Sequence, residues 1–140
     1  MVNMVTSKEL FVNVLLSEIK YYHLSVPEYF ETLTLDYIVE NYNGTGPDWL
    51  PAKKRKILDW TLDVFAPAVL IHDMEFSASN KTRAGFNRAN KRLFKNCIKI
   101  INVLFPVYNP FDWIKRMIWY GKAYLVYRAC CRFGFSAWLD

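Results

Sequence analysis

The chain has 140 residues, 53% of them hydrophobic and 17% aromatic, with a formal net charge of +5. Five glycines and six prolines are too few for a fibrous or disordered protein, and this length suits one domain that buries roughly two thirds of its unfolded surface. No apolar run reaches the roughly eighteen to twenty residues that a bilayer span needs, because Lys99, Pro106, Lys122 and Arg128 interrupt the longest candidates.

Charge is distributed unevenly. Residues 1–75 hold 11 acidic and 6 basic side chains, whereas residues 76–140 hold 12 basic and 2 acidic ones. Lys81, Arg83, Arg88, Lys91, Arg92, Lys95 and Lys99 recur at helical spacing. They read first as a solvated face complementary to the acidic half, and second as a footprint for nucleic acid or anionic headgroups. No recognition motif or zinc spacing supports nucleic-acid binding. The first residues lack a basic start, an apolar stretch and a small-residue cleavage site, so synthesis and initial retention in the cytoplasm are expected. Cys97, Cys130 and Cys131 are odd in number and lie far from any metal-ligand spacing, and they are read as buried thiols.

In chain order, Thr6-x-x-Glu9 predicts a capping box for a helix with Phe11, Leu15, Ile19 and Tyr22 on its apolar side. Ser25-Val26-Pro27-Glu28 opens a second helix carrying Tyr29, Phe30, Leu33, Tyr37 and Ile38, which the Asn41–Gly46 loop ends. A third helix is predicted over Pro51–Phe65, with Leu50, Ile57, Leu58 and Trp60 inward and Lys53-Lys54-Arg55-Lys56 outward. A short apolar helix, Ala68–Phe76, contains His72-Asp73. Thr82 caps a long helix to about Leu104 whose stripe is Phe86, Ala89, Leu93, Cys97, Ile100 or Ile101, and Leu104. After the Pro106–Pro110 break a last helix runs from about Phe111 to Phe133, with Trp113, Ile114, Met117, Ile118, Tyr120, Tyr124, Tyr127 and Cys130, and Gly134 as its C-cap. Nothing alternates like a strand. The expectation is an all-α domain over residues 1–140 with two long antiparallel helices and a glycine loop.

His72 beside Asp73 is the pair with chemical content. Neighbours on a helix point about 100° apart, so Asp73 can turn toward a loop while His72 turns toward a cleft. An imidazole so placed can act as a general base, and a carboxylate with loop carbonyls can hold a hard cation. The plainer alternative is a buried helix histidine satisfied by one hydrogen bond. Glu75, one turn on, is a poor partner, because i, i+3 geometry rarely aligns a carboxylate with an imidazole.

Pro67-Ala68, His72-Asp73 and Phe76, preceded by Asn43-Gly44-Thr45-Gly46-Pro47 and followed by Tyr127-Arg128-Ala129-Cys130-Cys131-Arg132-Phe133-Gly134, resemble the phospholipase A2-like family, in particular its short bacterial and bacteriophage members. The resemblance covers roughly residues 40–135. It implies a Ca²⁺-dependent acyl hydrolase acting on phospholipid at a membrane. In that reading His72 is the base, Asp73 the side-chain calcium ligand, and Tyr42, Gly44 and Gly46 supply loop carbonyls. The ion polarises the ester carbonyl and stabilises the oxyanion. Where the family has a second Asp behind the histidine, this chain offers Asn87 and Asn90. Phe76 replaces a tyrosine, and Val69 and the Asn43 and Thr45 positions replace cysteines. A neutral amide orients an imidazole without stabilising its protonated form, so the resemblance implies weakened chemistry.

The alternative is a non-catalytic helical protein of a bacteriophage particle that binds other phage or host proteins through aromatic and basic surfaces, peripheral to a membrane or virion-associated. On that reading Trp138, placed beyond the last helix, is the exposed contact.

Overall fold

Threonine hydroxyls start the helices at both ends of the fold. In the computed structural model, which describes residues 6–42, 63–78 and 81–139, Thr6 Oγ1 accepts the Glu9 amide at 3.1 Å and opens α1, Ser7–Tyr21. Val12, Leu15 and Ile19 form its buried stripe. Phe11, expected inward, is exposed and meets only the edge of the core through the Tyr42 ring, 6.2 Å away. The helix ends where His23 takes a positive φ of 54° and Leu24 N–H reaches back to the Ile19 carbonyl at 3.0 Å.

The second predicted helix is divided in two. A 3-10 turn, Glu28–Thr32, and α2, Leu35–Asn41, are separated by an extended Leu33. Thr34 is the reason, because its hydroxyl accepts the Tyr37 amide at 3.1 Å and starts a new helix rather than continuing the old one. Most of the predicted Pro51–Phe65 helix, with Trp49, Trp60, the Lys53–Lys56 run and the Gly44–Gly46 loop, lies outside the described residues.

Next comes α3, Ala66–Ala78, two residues longer at each end than the sequence predicts. Residues 66–72, 74 and 75 are all buried, so this is the central helix of the fold. The expected cap at Thr82 holds, accepting the Gly85 amide at 3.0 Å, and α4 runs Arg83–Leu104. Its stripe is buried from Phe86 to Ile101, while Leu104 is exposed.

A 3-10 turn at Pro110–Asp112 leads into α5, Trp113–Phe133. Contacts pair Asn90 with Cys131, Phe94 with Tyr127, Asn102 with Tyr120, and Phe105 with Arg116, so α4 and α5 are antiparallel. Only Arg116, Trp119, Ala123, Val126 and Cys130 of α5 are buried. Trp113, Ile114, Met117, Ile118 and Tyr124, also named among its apolar and aromatic residues, are exposed. The described residues are helices and turns without a strand.

Gly134 ends α5 with ordinary helical angles, φ −87° and ψ −12°, and the chain passes straight into a short α6, Phe135–Leu139. That turn overturns the expectation for Trp138. Its indole is 0% exposed, lies against Phe76 and Phe86, and donates to the Thr82 carbonyl at 3.0 Å. A bulky ring that satisfies its one polar group at a helix N-terminus is held inside the molecule rather than offered to a partner.

One long-range clamp fixes the segment that follows α1 against α4. Asn96, fully buried, accepts the Ser25 amide at 2.8 Å through Oδ1 and donates to the Ser25 carbonyl at 2.9 Å through Nδ2. Lys99 adds a bond to the His23 carbonyl at 3.0 Å.

Candidate functional site

The face that α3 turns toward α4 carries His72. Its Nε2 lies 2.8 Å from Asn90 Oδ1, and both side chains are buried. Asn90 Nδ2 points the other way, 3.8 Å from Cys131 Sγ on α5. An amide oxygen can only accept, so Nε2 carries the imidazole proton and Nδ1 keeps the lone pair. This is the tautomer that a base working through Nδ1 requires. Asn87, the other amide expected behind the histidine, is exposed, and Asn90 alone of the two meets the ring.

The surroundings of the ring are apolar. Phe76 lies with its centroid 4.5 Å from the imidazole, and Trp138 stands edge-on to Phe76 at 5.0 Å. His72 itself is 4% exposed. Burial pushes its pKa down to about 4, more than the Asn90 bond raises it. The imidazole is therefore neutral throughout the physiological range. Asn90, the partner on Nε2, is a neutral amide and sets no charge against a protonated imidazole.

Asp73 faces elsewhere, as the 100° step between neighbours requires. It is half-buried and close enough to Tyr42 to add to the effect of burial, which, with Asp63, pushes the Tyr42 phenol up to about 12. It also acts, after burial and Cys131, on the raised Cys130 thiol. Tyr42, Asp63 and Asp73 thus share one neighbourhood at the C-terminal end of α2. Carboxylates and carbonyls are the donor type that Ca²⁺ takes. Among the described residues no cluster of three or more His, Cys, Asp or Glu forms a ready-made cage, and Gly44 and Gly46 lie outside those residues.

Glu75 is engaged with Arg92 rather than with His72. Its Oε2 is bound to Arg92 at 2.8 Å, and its Oε1 is buried without a partner. Burial raises the Glu75 pKa against the opposing pull of Arg92 and Arg88. The pair lines a cleft of about 530 Å³ with Tyr29, Gly85 and Arg88. Sequence spacing does not reveal this ion pair, because Arg92 sits on a different helix, 17 residues on, and reaches Glu75 by side-chain length. Phe76 was legible as an aromatic beside the histidine. The contribution of Trp138 behind it was not, because that contact closes over a separation of more than sixty residues.

Compared with known proteins, the chain matches no family model, no curated protein and no solved structure.

Proposed function

We propose that this chain is a phospholipase A2-like acyl hydrolase, dependent on Ca²⁺ and weakened at the residue behind its base. The observation that carries this reading is the His72–Asn90 bond across α3 and α4. The residue that stands where the resemblance requires an aspartate makes the hydrogen bond that such an aspartate would make. His72 Nδ1 is left as the acceptor for a proton from water, while Asn90 fixes the ring and its tautomer. Asp73, turned toward Tyr42, and the loop carbonyls that follow would hold the ion. When bound, Ca²⁺ supplies polarisation of the ester carbonyl and charge stabilisation at the developing oxyanion.

A second reading is favoured by the burial of His72 and the Phe76 ring against it: a hydrolase-derived helical protein of a bacteriophage particle that binds proteins and performs no chemistry. Release of fatty acid from phosphatidylglycerol vesicles separates the two. The hydrolase reading expects slow release in Ca²⁺, none in excess chelator, and none from His72→Gln. Equal release by wild type and His72→Gln, or none from either, removes it.

A further inference from the structure

Helix α5 is apolar on both sides, and only one side is covered. Trp119, Ala123, Val126 and Cys130 pack on α4 and the core. On the opposite side Ile114, Ile118 and Leu125 follow the four- and seven-residue steps of one stripe, flanked by Met117 and Tyr124, and all five are exposed. Gly121 continues that stripe with nothing within 4 Å of where a Cβ would stand. A helix that is hydrophobic all round belongs in an interior or against a partner, and this one is half outside.

The turn that feeds the helix is more exposed still. Tyr108 is 88% and Phe111 89% accessible, with Val107 and Trp113 beside them. Turn and helix together form one continuous exposed apolar surface. Its charge is predominantly positive: between Pro106 and Leu139 the sequence has five basic residues and one acidic one, the half-buried Asp112. Arg116 is buried and donates to the Phe105 carbonyl, which leaves Lys115, Lys122, Arg128 and Arg132 around the apolar stripe.

We propose that the outward face of α5, with the Pro106–Asp112 turn at its leading end, docks on the surface of an anionic lipid bilayer. Charge complementarity selects the occupant. A second copy meeting this face through the same face would bring like charges together, whereas anionic headgroups neutralise them and the acyl boundary takes up the apolar stripe. An exposed surface led by Tyr108, Phe111 and Trp113 suits a fluid partner that conforms to it, and tyrosine and tryptophan rings favour the headgroup level. The inference goes beyond the hydrolase reading and does not need His72 to be active.

Co-sedimentation with vesicles tests it, performed in excess chelator so that hydrolysis plays no part. The full chain is expected to bind phosphatidylglycerol vesicles at least about tenfold more tightly than phosphatidylcholine vesicles, and to lose that preference at high salt. The double substitution Ile118→Glu with Leu125→Glu is expected to weaken binding by more than about a hundredfold. Both side chains are exposed, so circular dichroism and thermal melting should match wild type. Absent binding by wild type, or undiminished binding by the double variant, overturns the proposal. So does a wild-type dimer in sedimentation velocity that the same substitutions dissociate, because a second copy then covers the face. Hydrolysis of short-chain phospholipid dissolved as monomers, alongside absent vesicle binding, would sink the docking proposal and leave the hydrolase standing.

Discussion

Acid should destabilise this protein through a single buried side chain. His72 is neutral in the fold with a pKa lowered to about 4, while an unfolded histidine titrates near 6.5. Between those values the unfolded chain takes up a proton that the folded chain refuses, so stability present above 6.5 is lost as pH falls toward 4. Linkage converts the shift into a loss of about 2 kcal/mol between pH 7 and pH 5, and about 3 kcal/mol by pH 4. Glu75 works in the opposite sense, because its folded pKa is raised and its burial penalty is relieved in acid. Comparison with His72→Gln removes that contribution, since both proteins retain Glu75. Urea denaturation of the two proteins at pH 7 and pH 5 is the assay. Wild type should lose about 2 kcal/mol more than His72→Gln over that interval. Parallel losses would mean that the imidazole accepts its proton in the folded state, and the description of a neutral, buried ring between Asn90 and Phe76 would be wrong.

Three further outcomes follow from the packing. Arg92→Met strands the buried Glu75 carboxylate and should cost about 3 kcal/mol at neutral pH, with the cost shrinking as pH falls and Glu75 takes its proton; denaturation of the variant at pH 7 and pH 4.5 checks it. Trp138→Ala should cost about 3 to 5 kcal/mol in thermal or urea unfolding, as a fully buried indole does, and should increase solvent protection losses around Phe76 and Phe86 in hydrogen exchange. Asn96→Ala should cost about 2 kcal/mol, because the Ser25 amide and carbonyl lose their partners together, whereas an exposed-face change such as Lys95→Ala should stay within about 0.5 kcal/mol.

Short-range signals in the chain were readable where they concern caps and stripes. Thr6 and Thr82 start helices where their spacing to Glu9 and Gly85 says they should, and the buried run from Phe86 to Ile101 keeps its predicted face. The second helix misled because Thr34 offers a hydroxyl that competes with helix continuation, and propensity alone does not decide which cap wins. Helix α5 misled for a different reason. With apolar residues on every side, its pattern does not indicate which side meets α4, and Trp113 and Ile114, named among its apolar residues, lie outside. Trp138 and the Arg92–Glu75 pair depend on contacts between distant segments that no local period encodes. At the candidate site the sequence offered Asn87 and Asn90 alike as the amide beside His72, and Asn90 is the one that meets it. Its separation from Asn87 comes from burial, because three residues on a helix are enough to place one amide against the imidazole and the other in solvent.

Fatty-acid release by Asn90→Asp, measured beside wild type in Ca²⁺, bears most directly on the proposed chemistry. A carboxylate at 2.8 Å from Nε2 supplies the charge that the amide lacks and raises the His72 pKa. The expected result is a gain of about 10- to 100-fold in hydrolysis of phosphatidylglycerol, abolished by chelator and by a second change, His72→Gln. A folded Asn90→Asp protein that releases no more fatty acid than wild type would contradict the assignment of His72 as a base.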